Sequence, residues 1–222
     1  MSETDFRLPG PTNRTILIGR TGTGKTTLAG YIFSRMDYEA RPWVAVDYKS
    51  EELFHKIGPR YMRPLKVGSM PGSKGLYRME PRPDQDEEVE DWLWKIWERE
   101  NVGLFIDEIA LLPKITAWKA ILRQGRSKRI PVIGCTQRPV GVERETFSEA
   151  DYFGILDLTH PDDRALVNKY SRNALERGNL KDHHAWWYDV ARKRTFLLTP
   201  VPDKPRLASD IRDRAPRSLW FS

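Results

Sequence analysis

Gly19-Arg20-Thr21-Gly22-Thr23-Gly24-Lys25-Thr26 satisfies G-x-x-x-x-G-K-[ST], and it constrains this chain more than any other stretch. Residues 15–18 before it form a short apolar run that reads as a strand, and residues 26–36 after it read as a helix. A strand–turn–helix context is what the motif requires. The glycines let backbone N–H groups close around phosphate oxygens, and the helix N-terminus adds positive potential. The expected nucleotide-binding set is Gly19, Arg20, Thr21, Gly22, Thr23, Gly24, Lys25, Thr26 and Thr27. Lys25 should reach the β- and γ-phosphates, and the Thr26 hydroxyl should ligate Mg²⁺.

The rest of the chain repeats the β-α-β pattern. Strands are expected at 44–47, 65–67, 76–79, 102–106, 132–136 and 152–158. Helices are expected from the acidic run 84–91 onward, at 115–124 and at 162–176. Val89, Leu93, Ile96 and Trp97 recur at helical spacing, so the tryptophans there are expected in the core rather than as a base-stacking platform. Residues 185–189 and 195–198 predict a terminal β-hairpin around Arg192-Lys193. The fold class is α/β, a mainly parallel sheet with helices on both faces and a C-terminal β-hairpin. With 222 residues, one domain over 1–200 is expected, followed by a basic, Pro-rich tail or arm over 201–222.

Hydrophobic residues make up 39% and charged residues 31%, which describes a globular chain. No apolar run approaches the roughly 20 residues of a membrane span, and no signal peptide opens the sequence. One cysteine, Cys135, rules out an internal disulfide and fits a reducing compartment, with cytoplasm as the default. The net charge of +6 permits an anionic polymer as partner without demanding one. Eight basic residues lie from Arg192 onward against Asp203, Asp210 and Asp213, so most of the excess sits at the C-terminal end. That end is either a solvated tail or a DNA arm.

Asp107 ends an apolar strand about 80 residues after the phosphate loop, where a carboxylate would hold the Mg²⁺ shell through water. Glu108 follows, placed to act as general base on an attacking water. A base beside the magnesium aspartate favours hydrolysis over transfer to a small acceptor. Gln137 stands just past the next buried strand, where a neutral amide can contact both the γ-phosphate and that water. Cys135 reads as core packing. His160, His183 and His184 lack companion cysteines at zinc spacing, so Mg²⁺ is the metal expected, with ATP as the nucleotide.

Four stretches in order resemble the FtsK/HerA superfamily of ring-forming DNA-pumping ATPases. They are the phosphate loop, Val46-Asp47-Tyr48-Lys49, Phe105-Ile106-Asp107-Glu108, and Gln124-Gly125-Arg126 leading into Thr136-Gln137-Arg138-Pro139. The similarity covers roughly residues 12–170 and extends more weakly to the final hairpin. It implies a RecA-like (ASCE) P-loop NTPase fold, an Mg-dependent ATPase, double-stranded DNA as partner, and a homo-oligomeric ring, hexamer or pentamer. Arg126 looks like the family's arginine finger, which reaches into a neighbouring subunit's ATP site. Arg138 is the second candidate. The physics supports such a role, because a guanidinium offers a bidentate fork to developing phosphoryl charge.

Cellular members carry membrane spans, a winged helix or a barrel, and this chain has room for none. It is similar in size to the compact genome-packaging ATPases of tailless, membrane-containing viruses. That likeness implies packaging of DNA into a preformed capsid, with capsid or portal-vertex proteins as partners. It also implies a place in the host cytoplasm or at the packaging vertex of the virion. A phage-assembly or conjugation-type ATPase, a small-molecule kinase, and a nucleotide-dependent clamp or partition protein are the competing classes. Stimulation of ATP turnover by DNA separates the kinase from the rest.

Overall fold

The computed structural model describes residues 7–113 and 116–216. In chain order its elements are β1 (Arg14–Ile18), α1 (Lys25–Phe33), β2 (Pro42–Val46), α2 (Glu52–Ile57), β3 (Met62–Pro64) and β4 (Gly75–Met79). Then come α3 (Asp86–Arg99), β5 (Gly103–Ile106), α4 (Thr116–Gln124), β6 (Val132–Thr136), α5 (Glu145–Ser148) and β7 (Tyr152–Ile155). The chain continues through α6 (Pro161–Ser171), β8 (Ala185–Asp189), β9 (Arg194–Leu198) and α7 (Lys204–Arg214). The strands form one sheet in the order β3-β4-β2-β5-β6-β1-β7-β8-β9. All pairings from β3 to β7 are parallel, and β8 and β9 add an antiparallel hairpin at one edge. No helix among the described residues is long and apolar enough to cross a membrane.

The central strands read as unbroken apolar runs because both of their faces are covered. Ile16 and Ile18 of β1 point to one core, with Val44, Leu104 and Ile106 beside them, under α3, α4 and α6. Leu17 points the other way, with Trp43, Phe105 and Cys135, under α1, α2 and α7. The strand's period of two sends alternate residues to opposite layers. Trp92, Val89, Leu93 and Ile96 of α3 are buried in the first core, with Trp97 half-buried against it, as their spacing predicts.

Several boundaries differ from expectation. Helix α1 ends at Phe33 rather than near residue 36, and β7 ends at Ile155 rather than at 158. The strand expected at 65–67 falls instead at Met62–Pro64. The expected helix at 162–176 divides, because Arg172 and Asn173 take left-handed conformations (φ 52° and 58°) and a short 3-10 turn follows. Ile115, expected to begin α4, lies outside the described residues.

The larger correction concerns the C-terminal segment. Residues 204–214 are not an extended arm but helix α7, with Leu207, Ala208 and Ile211 fully buried against α1 and α2. Asp203 caps it by accepting the Arg206 N–H at 3.0 Å, and Pro205 sits in its first turn, where a missing donor costs nothing. Residues 217–222 of the expected tail, Arg217 among them, lie outside the described residues.

Candidate active site

Parallel strands bring the loops after β1, β2, β5, β6 and β7 to one edge of the sheet, the carboxyl edge, where open α/β sheets bind ligands. The turn after β1 is pinned from both sides. Gly19 N–H donates to the Thr136 carbonyl at 3.3 Å and Arg20 N–H to that of Asp157 at 3.0 Å. The Arg20 guanidinium also meets the Asp157 carboxylate at 2.6 Å. Gly22 and Gly24 hold φ of 83° and 94°, a left-handed conformation that makes glycine the natural residue at both positions. Gly24 then opens α1, whose first residues line a cavity of about 310 Å³.

Arg20, Thr21, Gly22, Gly24, Lys25, Thr26 and Thr27 line that cavity, as do Asp107 and Gln137. Gly19 and Thr23 do not: they support the turn from behind, Thr23 through its hydroxyl to the Arg20 carbonyl at 2.9 Å. Lys25 is 6% exposed and has no ion-pair partner among the described residues. A buried ammonium without a counter-charge is costly, so this cavity is built for an anion.

The acidic groups sit opposite. Asp107 is buried, and its carboxylate accepts the Tyr48 N–H at 3.0 Å and the Lys49 N–H at 2.9 Å. Burial raises its pKa to about 7, with Asp47 adding to the rise and those two N–H groups opposing it. The carboxyl therefore lacks the positive neighbour that a bound cation would supply. Together with the Thr26 hydroxyl and the phosphate cradle, it fits a magnesium–nucleotide complex.

Glu108 is buried beside it and makes two contacts. One oxygen accepts the Gln137 N–H at 3.2 Å, and the other meets the Lys49 ammonium at 2.5 Å. Gln137 in turn accepts the Thr21 hydroxyl at 2.9 Å, so one residue links the phosphate loop to the candidate base. Lys49 and Glu51 were not anticipated as site residues. Glu51 accepts the Thr26 hydroxyl at 3.2 Å, and Lys204 of α7 lies 3.7 Å from it. Lys49 and Glu51 follow a strand end, the signal that marks Asp107 and Gln137, whereas Lys204 and His183 reach the cavity only through tertiary folding.

Arg126 is not in this cavity. It follows α4 at the opposite, amino edge of the sheet, where its guanidinium pairs with Asp151, and Asp151 accepts the Arg14 N–H at 2.8 Å. Arg14 begins β1 and Ile18 ends it. At about 3.3 Å per residue the two edges are roughly 13 Å apart, so Arg126 cannot serve the cavity of its own chain. Arg138, the second candidate, is nearer the carboxyl edge but turns to the Asp163 carboxylate at 3.5 Å.

No family model matches the chain. The sequence is 35% identical over 209 residues to the DNA packaging ATPase P9 of Enterobacteria phage PRD1, covering 89% of this chain and 91% of that protein. The fold is similar to the genome packaging NTPase B204 from Sulfolobus turreted icosahedral virus 2 in complex with sulfate. That match has a TM-score of 0.72 at 20% identity and covers 88% of this chain and 100% of the other. The cytoplasmic domain of the Thermomonospora curvata Type VII secretion ATPase EccC gives a TM-score of 0.62 at 16% identity, covering 96% of this chain and 29% of its own. At these identities the two structures speak for the fold, a P-loop NTPase core.

Proposed function

The chain belongs to the DNA packaging ATPase family, and on that premise we propose that it is a Mg²⁺-dependent ATPase that drives double-stranded DNA into a preformed capsid. The observation that carries the chemistry is the pairing, across one 310 Å³ cavity, of buried Lys25, which has no ion-pair partner among the described residues, with the buried carboxylate of Asp107; buried Glu108 is the next residue. The phosphate loop and Lys25 bind the triphosphate, and Thr26 and Asp107, the latter through water, are the residues to hold Mg²⁺. Bound there, Mg²⁺ would neutralise charge on the β- and γ-phosphates.

Glu108 takes a proton from the water that attacks the γ-phosphorus as the bond to the ADP oxygen breaks. Its carboxylate must first leave Lys49, since a base held in an ion pair is a weaker acceptor. Gln137, joined to both Thr21 and Glu108, is placed to register whether the γ-phosphate is present. Arg126 completes the site of a neighbouring subunit, which makes a homo-oligomeric ring, hexamer or pentamer, the working unit. Capsid or portal-vertex proteins are its docking partners, in the host cytoplasm or at the vertex of the virion.

Double-stranded DNA should raise the rate of ATP hydrolysis by the wild-type chain. Lys25→Ala should lose tight ATP binding, while Glu108→Gln should bind ATP and stop turning it over, because Lys25 acts on ground-state phosphate charge and Glu108 on the water. A Glu108→Gln protein that kept most of its turnover would remove the assignment of the base.

A further inference from the structure

Three lysines line the phosphate cavity: Lys25 of the phosphate loop, Lys49 after β2 and Lys204 of α7. They stand in different states. Lys25 has no ion-pair partner among the described residues, and Lys204 lies 3.7 Å from Glu51 and 3.3 Å from Glu52. Lys49 is paired to a group that the reaction needs, the Glu108 carboxylate, with its ammonium 2.5 Å from Oε2.

The two ends of this pair differ in freedom. The Glu108 side chain is 5% exposed and its other oxygen is held by the Gln137 N–H at 3.2 Å, whereas the Lys49 side chain is 31% exposed. The Lys49 backbone is fixed, because its N–H donates to the Asp107 carboxylate at 2.9 Å. Beyond that anchor the side chain is a flexible four-carbon stem ending in a rotatable point charge. When the pair separates, the ammonium is therefore the end that moves. It then needs another anion, since a partly desolvated cation without one is costly. The γ-phosphate is the anion that enters this cavity with a triphosphate and is missing from a diphosphate.

We propose that Lys49 is a second phosphate-binding lysine, which leaves Glu108 for the γ-phosphate when ATP fills the cavity and so frees the base only once its substrate is in place. This rests on the ATPase function proposed above and gives a residue outside the phosphate loop a catalytic role in it. A terminal phosphate carries about twice the charge of a carboxylate, which favours the exchange for ATP. Lys49 gains and loses no proton in the step that follows. The water oxygen bonds to the γ-phosphorus, the bond to the bridging oxygen breaks with its electron pair leaving on ADP, and the water proton goes to Glu108. The ammonium offsets charge on the γ-phosphate oxygens meanwhile. Once phosphate has left, Lys49 returns to Glu108.

The test uses the full chain with Mg²⁺ and two probes, ADP and β,γ-methylene ATP, whose terminal phosphate cannot be hydrolysed off. Wild type is compared with Lys49→Met and Lys49→Arg, which both keep the backbone N–H on Asp107; methionine keeps most of the stem without the charge. By calorimetry, Lys49→Met should bind the ATP analogue about tenfold more weakly, the size of one hydrogen bond to a charged group, and bind ADP as wild type does. Its ATP turnover with double-stranded DNA present should fall about 10²-fold, and Lys49→Arg should recover part of both losses by restoring the charge. Equal weakening of the two probes would overturn the role, because Lys49 would then only shape the cavity. Unchanged or faster turnover in Lys49→Met would overturn it too, since the lysine would then do no more than restrain Glu108. A wild-type chain that hydrolyses no ATP would instead overturn the ATPase function on which the role rests.

Discussion

Asp107 carries an electrostatic penalty whose sign can be followed through pH. In the unfolded chain its carboxyl titrates near 3.9. In the fold, burial and the neighbouring Asp47 raise that to about 7. The folded state therefore holds the proton more tightly, and stability contributed by this group falls as pH rises from about 4 to about 7 and then levels. A cation at the site removes the cost of the ionised form. Thermal stabilisation by Mg²⁺ with ADP should accordingly be larger at pH 8 than at pH 6, as read by scanning fluorimetry. Asp107→Asn should lose most of the magnesium-dependent shift, since an amide supplies no charge to hold the cation. A metal-dependent shift that was the same at both pH values in the wild type would contradict the penalty. On the function proposed above, Asp107 trades stability for a magnesium site.

Helix α7 changes what the C-terminal end of the chain is for. Leu207 is fully buried where α7 meets α1 and α2, and Lys204 at its start reaches both Glu51 and Glu52. Leu207→Ala should cost about 2–5 kcal/mol, which in a domain of this size lowers the melting temperature by roughly 5–15 °C. Removing everything beyond Pro202 should therefore unsettle the fold before it reports on any DNA contact of the basic residues there. A truncated chain with an unchanged melting temperature would contradict the docking. The helix was hidden in the sequence by three prolines and alternating charge. Its cues, Asp203 as cap, Pro205 in the first turn, and Leu207, Ala208 and Ile211 on one stripe, emerge only when the prolines are taken as the start of a helix rather than its end. The five apolar strands around the site were plain, because burial on both faces leaves runs such as Gly103–Ile106 without polar interruption. Their spatial order was not, since nothing local to Val46 or Ile106 says that β2 lies beside β5. The phosphate loop, Asp107, Glu108 and Gln137 could be placed because each ends or follows such a strand. His183 and Lys204 could not, because each arrives at the cavity from an element more than 150 residues away in sequence from Gly24.

Taken as a whole, the molecule separates its two kinds of charge chemistry onto opposite edges of one sheet. The carboxyl edge holds the phosphate loop, Asp107, Glu108 and Gln137; the amino edge holds Arg126, with Arg123, Lys128 and Arg129 nearby. Arg126 is 62% exposed in its side chain, whereas its partner Asp151 is mostly buried and already accepts from Arg14, so the guanidinium can swing to another anion without leaving Asp151 unpaired. A subunit stacked around a ring with its amino edge against its neighbour's carboxyl edge would bring Arg126 to a phosphate it cannot reach in its own chain. Two singly disabled proteins test this. Arg126→Ala should bind ATP almost normally yet hydrolyse it about 10³-fold more slowly, the smaller end of what such arginines contribute. Glu108→Gln should bind and not hydrolyse. When the two are mixed in the presence of double-stranded DNA, one orientation of a mixed interface joins an intact Glu108 site to an intact Arg126. ATP turnover of the mixture should then rise well above that of either protein alone and peak near equal amounts. Mixed rings that form, as shown by co-purification of differently tagged subunits, and yet show no gain in turnover at any ratio would contradict it.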